Sequence, residues 1–167
     1  MELIVRNANV LSFEVSAVVA PTSTRALMSD GPAALIRQQG GAIIEQEILK
    51  VAPFAIGAAA VTTAGNLSCA RHVIHVPNRK TETDSARIEH IRLSVRAALV
   101  AAHRMGFESI TIPGPGPCSS NIHPRELARA VVDEIRIFKD TPPSLVYLVD
   151  TSPEIVKAFE HFTNPTK

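Results

Sequence analysis

The chain has no tryptophan, a single tyrosine, and only 4% aromatic residues. Stacking platforms of the kind that hold single-stranded nucleic acid are therefore not expected. Two cysteines, Cys69 and Cys118, are too few for a disulfide framework. They read as reduced thiols, which fits a cytoplasmic protein. The net charge of +1 gives no electrostatic case for generic nucleic-acid or membrane-surface binding. No apolar run approaches the length of a membrane span. The start, Met1-Glu2-Leu3-Ile4-Val5-Arg6, lacks the basic segment and long apolar core of a signal peptide. Several catalytic signatures are also missing. There is no GxxxxGK[ST] loop for a nucleotide triphosphate, no HExxH, and no Gly-x-Ser-x-Gly elbow. The Cys and His spacings match no zinc template, so neither a metal nor a cofactor is expected.

What is present is a globular composition, 46% apolar and 20% charged over 167 residues. That length suits one well-buried domain spanning 1–167. Short apolar runs predict strands over 3–5, 17–20, 58–62, 73–76, 109–112 and 145–149. Between them, helical spacing predicts helices over 33–39 and 42–51, separated by Gly40-Gly41. Asp30 is placed as the cap of the first, with Pro32 at an early helical position. Residues 78–83 read as a polar loop. A long helix follows, capped by Thr83, Asp84 or Ser85 and ended by Gly106. Further helices are predicted over 124–138 and from Ser152-Pro153 onward, with a frayed tail over 163–167. Ile91, Val95, Leu99, Ile110, Leu127, Val131, Val146 and Phe159 form the predicted core. Strands interleaved with helices imply an α/β fold, a three-layer α/β/α sandwich around a mixed, largely parallel sheet of about six strands.

In such sheets ligands bind where loops leave the carboxyl ends of strands and meet helix N-termini. Three loops qualify: 21–32, 64–71 and 113–124. The last, Pro113-Gly114-Pro115-Gly116-Pro117-Cys118-Ser119-Ser120-Asn121, has two glycines and two serine hydroxyls, but its prolines remove donors. It reads equally as a phosphate cradle and as a rigid connection. His72 and His75 lie at odd spacing on one strand and so face opposite sides. One packed and one partly exposed histidine is favoured over a pair of ligands. His123 precedes Pro124 and is read as a cap rather than a ligand contact. Cys118 is placed near a helix start, where a thiolate can be stabilised; an incidental small residue is the favoured alternative.

The segment Val61-Thr62-Thr63-Ala64-Gly65-Asn66-Leu67 followed by Arg71-His72-Val73-Ile74-His75 resembles the macro domain, a fold that binds ADP-ribose. The likeness extends to Ala17-Val18-Val19-Ala20-Pro21-Thr22-Ser23, to the helix start Gly31-Pro32-Ala33-Ala34-Leu35-Ile36, and to Ser109-Ile110-Thr111-Ile112-Pro113-Gly114. It covers nearly the whole chain in the same element order. It implies a ligand site at Asn9, Val10, Ser23, Gly31, Pro32, Ala33, Asn66, Gly114, Gly116, Cys118, Ser119, Ser120 and Asn121, for ADP-ribose or a related small nucleotide.

The chain departs from the family pattern in several places. Where members usually have Gly-Asp-Ile, whose Asp holds the adenine amino group, this sequence has Ala8-Asn9-Val10. Where the second strand usually ends in Asn-Ala-Ala-Asn, it has Ala20-Pro21-Thr22-Ser23, placing Ser23 at the distal ribose. Hydrolytic members often carry an Asp at the position of Ala33. Asp30 brings negative charge toward a diphosphate unless it turns away. The resemblance thus implies a binding module with an atypical site. The alternatives are a hydrolase of ADP-ribosyl or O-acetyl-ADP-ribose substrates, and an interaction protein with a vestigial pocket. The crevice is expected between 23–33 and 114–121, beside Asn66.

Overall fold

A computed structural model describes residues 1–164. Six strands, β1 (Glu2–Asn7), β2 (Ala17–Ser23), β3 (Ala60–Thr63), β4 (His72–Arg79), β5 (Ser109–Pro113) and β6 (Leu145–Asp150), form one sheet in the order β1-β6-β5-β2-β4-β3. All neighbours are parallel except the edge pair β3 and β4. Helices α1 (Gly31–Gly40) and α2 (Ile43–Leu49) cover one face. Helices α3 (Ile88–Met105), α4 (Pro124–Ile137) and α5 (Pro153–Thr163) cover the other. The three layers follow from the strands themselves. Along β2, Ala17 and Val19 point into the α3–α5 side while Val18 and Ala20 point into the α1–α2 side, and all are buried. A strand buried on both faces must read as a continuous apolar run, as this one does.

The eight predicted core residues are all buried. On α3 and α4 the buried positions recur at helical spacing, and α3 ends where Gly106 takes a left-handed φ of 72°, a conformation glycine adopts without a Cβ penalty. Other boundaries differ from expectation. Residues 78 and 79 are not loop but the end of β4, and both are buried. Their polar side chains hide the strand's last two residues from an apolar-run reading. The long helix starts at Ile88 after Arg87, not at residues 83–85; Asp84 instead accepts from the Thr81 N–H at 3.0 Å within the preceding loop. Asp30 occupies the N-cap position of α1 but makes no side-chain cap bond, and Ser152 likewise makes none to α5. His123 does cap α4, accepting from the Arg125 N–H at 3.2 Å. Of the tail expected to fray, Thr163 closes α5 and residues 165–167 lie outside the described residues.

The Thr63-Ala64-Gly65-Asn66 segment has a structural task. Gly65 has φ of 54°, and a Cβ there would lie 2.2 Å from the Gly40 carbonyl oxygen. The Asn66 N–H donates to that same carbonyl at 2.8 Å. A Cβ on Gly40 would in turn meet Ile44 Cδ1 at 2.4 Å. The turn after β3 thus locks the α1–α2 corner by backbone contact, which only glycine permits at position 65.

His72 and His75 point to opposite faces of β4. His72 is half-buried and packs on Phe107, with ring centroids 4.9 Å apart. His75 is fully buried, with Nε2 2.8 Å from Thr62 Oγ1 and Nδ1 without a partner among the described residues. Burial pushes its pKa down from 6.5 to about 4, against a smaller upward pull from Glu47. The unfolded chain therefore takes up a proton near pH 6.5 that the folded protein refuses until about pH 4. Stability is unaffected above pH 6.5 and falls as pH drops below it. The single group is expected to cost roughly 2 kcal/mol at pH 5 relative to pH 8. An NMR titration in which the His75 ring protonates at its ordinary, unshifted pH would contradict this.

Candidate functional site

The carboxyl ends of β1, β5 and β6 open onto a crevice of about 310 Å³. Its walls are mostly apolar: Val10, Leu35, Pro113, Pro117 and Val149 contribute, together with the Cα faces of Gly31, Gly114 and Gly116. Three residues with polar side chains, Asn9, Asp150 and Thr151, line it at or just beyond the neighbouring ends of β1 and β6.

The β1–β2 loop is held down by Phe13, which stacks flat on Tyr147 of β6 with centroids 4.2 Å apart and planes within 1°. Such a pair adds about 0.5–1.5 kcal/mol beyond the area it buries. The loop then turns on Asn9. Its Oδ1 accepts from the Leu11 N–H at 2.8 Å, and its carbonyl accepts from the Ser12 N–H at 3.2 Å. This Asx turn leaves the Asn9 side-chain Nδ2 without a bonded partner among the described residues.

Asp150 closes β6. Its backbone carbonyl accepts from the Ala8 N–H at 3.1 Å, and Oδ1 accepts from the Ser152 N–H at 2.8 Å. Burial pushes its carboxyl up from the ordinary range, partly offset by the Ser152 and Thr151 N–H groups. This carboxyl lies against Gly114: a Cβ there would stand 2.0 Å from Asp150 Oδ2, so any side chain would displace it.

On the opposite wall the loop before α1 meets the loop after β5. Gly31 has φ of 58° and Gly116 of 87°. A Cβ on Gly31 would lie 3.2 Å from Pro117 Cδ, and one on Gly116 would lie 3.1 Å from Pro32 Cδ. The two loops touch through glycine and proline atoms alone at this point.

Beyond this contact lies a second group of polar residues. The Arg79 guanidinium, 2% exposed, donates to Asp30 Oδ1 at 2.9 Å. This bond draws Asp30 away from the capping role expected of it and neutralises its charge beside the crevice. Arg79 Nε has no partner among the described residues. Cys118 packs close by, its thiol donating to the Pro115 carbonyl at 3.4 Å. Burial pushes that thiol up, with Arg79 pulling the other way, so it stays protonated at neutral pH. Ser23 is wholly buried and donates to Glu82 Oε1 at 2.6 Å. That bond is the largest cause holding the Glu82 carboxyl low.

Of the residues implied by the sequence, Asn9, Val10, Gly31, Pro32, Gly114 and Gly116 line this crevice together. Asn66 lines a neighbouring cavity of about 340 Å³ that shares Asn9 and Leu35 with it. Ala33 is buried on the core side of α1, and Ser23 is buried at the end of β2. Ser119 is buried, donating to the Gly116 carbonyl at 2.8 Å, whereas Ser120 and Asn121 face solvent. Sequence reading missed Asp150 and Leu35. Asp150 carried a signal, an acid directly after the last apolar strand run. The pairing of Asp30 with Arg79 carried none, being 49 residues apart. Among the described residues no group of three His, Cys, Asp or Glu side chains is placed to hold a metal ion.

Residues 19–129 match the family model described as Macro domain. An uncharacterized protein of Aquifex aeolicus is 35% identical over 160 residues, covering 96% of both chains. One of Aeropyrum pernix is 28% identical over 95% of this chain and 83% of its own. Among solved structures, a Trypanosoma brucei macrodomain superposes with a TM-score of 0.84 at 20% identity, over 96% of this chain and 66% of that one. A Trypanosoma brucei macrodomain has also been solved in complex with ADP-ribose. A mutant Oceanobacillus iheyensis macrodomain, solved with ADP-ribose, gives a TM-score of 0.81 at 18% identity over 98% of this chain and 92% of that one.

Proposed function

Because the chain belongs to the macro-domain family, we propose that it is a binding module for ADP-ribose or a related nucleoside diphosphate, with an atypical site. The observation that carries the reading is the crevice itself. It lies at strand carboxyl ends, presents mostly apolar walls to a base, and runs to the N-terminus of α1. Pro32 has no N–H and the Ala34 N–H is bonded to the Asp30 carbonyl, so that terminus offers the Gly31 and Ala33 N–H groups and a partial positive charge to a phosphate. The Arg79 bond to Asp30 supports the reading further, since a free carboxylate at this point would repel a diphosphate. The structures of macrodomains solved with ADP-ribose add the ligand class.

Amide chemical-shift mapping with millimolar ADP-ribose tests the proposal. Shifts are expected at Asn9, Val10, Gly31, Gly114, Gly116 and Asp150. Shifts confined to other residues, or none, would reject it.

The positions that hydrolytic members of the family use do not favour turnover here. Hydrolysis needs a positioned water and a group to orient it or take its proton. Ser23 is buried with its hydroxyl committed to Glu82, Ala33 offers no base, and the Cys118 thiol is protonated. O-acetyl-ADP-ribose is expected to persist in the presence of the protein at the rate of its spontaneous loss, as followed by chromatography.

A further inference from the structure

The base end of the crevice has a donor pattern that can be read residue by residue. Asn9 is fixed by its own turn. Only the amide oxygen can accept the Leu11 N–H, so Oδ1 is the atom bonded at 2.8 Å, and the NH₂ group is the one left for a ligand. Val10, the next residue, also lines the crevice, and its backbone N–H has no acceptor among the described residues. Two consecutive residues of the lining therefore offer donors. Asp150, in the same lining, offers an acceptor. Asp150 spends Oδ1 on the Ser152 N–H and keeps Oδ2 beside the bare Gly114 Cα.

Purines differ along the edge that such a pattern reads. Guanine offers N7 and O6, two adjacent acceptors, where adenine offers the N7 acceptor beside an N6 donor. Past O6, guanine and hypoxanthine carry an N1–H donor, and guanine adds its 2-amino group. Adenine has a bare acceptor at N1. A 6-oxopurine thus matches two neighbouring donors followed by an acceptor. Adenine satisfies Asp150 through its amino group only by leaving one donor of the Asn9–Val10 pair unmet, and a donor left unmet beneath a bound base is costly.

We infer that the crevice selects a 6-oxopurine nucleotide over an adenine nucleotide, with Asn9 as the residue that sets the choice. This rests on the reading of the crevice as a nucleoside-diphosphate site.

The test is calorimetric titration of the full chain with ADP-ribose and with guanosine diphosphate ribose. The guanosine ligand is expected to bind about tenfold or more tighter, as one well-formed bidentate base contact supplies. The Asn9→Asp protein keeps the bond to the Leu11 N–H but replaces the NH₂ by a second acceptor, so its preference is expected to reverse. Inosine diphosphate ribose separates the two oxopurines. Binding equal to the guanosine ligand supports recognition at O6 and N7, and weaker binding, still above ADP-ribose, supports it with an added 2-amino contact to Asp150. ADP-ribose binding as tightly as the guanosine ligand, or an unchanged preference in Asn9→Asp, overturns this inference and leaves the proposed function standing. Failure of all three ligands to bind overturns the proposed function, and this inference with it.

Discussion

Replacing Gly31 by glutamate is expected to weaken nucleotide binding by about a hundredfold or more, roughly 2.7 kcal/mol. The backbone at residue 31 is left-handed, with φ of 58°, and a side chain there costs roughly 1–2 kcal/mol. Its Cβ would also stand 3.2 Å from Pro117 Cδ, so the facing loop must give way. The larger effect is on the ligand. A carboxylate at the start of α1 occupies the positive end of the helix that a phosphate would otherwise use. It adds repulsion where the Arg79 bond has removed it. Calorimetry with whichever nucleotide the wild type binds measures the loss. Gly31→Ala, which carries the strain without the charge, should lose stability but keep more of the affinity. A Glu variant that binds as tightly as the wild type would remove the phosphate from this end of α1.

The second large effect is on stability. Leu99 sits in the middle of α3 with no exposed surface, packed in the cluster that joins α3, α4 and α5 to the sheet. Leu99→Ala empties part of a close-packed region. The expected loss is roughly 2–5 kcal/mol, the range of transfer and cavity costs combined. Denaturant melts at neutral pH, with the slope unchanged, would show it as a lower midpoint. A change below about 0.5 kcal/mol would mean that the surrounding helices collapse around the truncated side chain, contrary to ordinary core behaviour.

The fold was legible because burial writes itself into apolar periodicity. The run Val18-Val19-Ala20 and the spacing of Ile91, Val95 and Leu99 report which surfaces are covered without reference to partners. Where polar residues are buried, that signal disappears. Asn78 and Arg79 look like loop because nothing in their own neighbourhood announces Asp30 and Cys118, which approach from distant loops. The same limit applies to the site. Glycines at 31, 114 and 116 can be picked out as places of close approach, but what approaches them is fixed by tertiary structure. At Gly114 it is the Asp150 carboxyl, 36 residues away in sequence. The orientation of Asn9, on which base choice turns, depends on a bond to Leu11 that no composition or spacing rule contains.

The scarcity of aromatic residues has an experimental use. With no tryptophan and one tyrosine in the chain, the intrinsic fluorescence of the protein is that of Tyr147, unmasked by indole emission. Its ring lies flat on Phe13, in the loop that carries Asn9 and Val10. An undocked loop would free the phenol to rotate and change its emission and near-ultraviolet dichroism. A single native chromophore thus reports whether the base end of the crevice is assembled, with no label added.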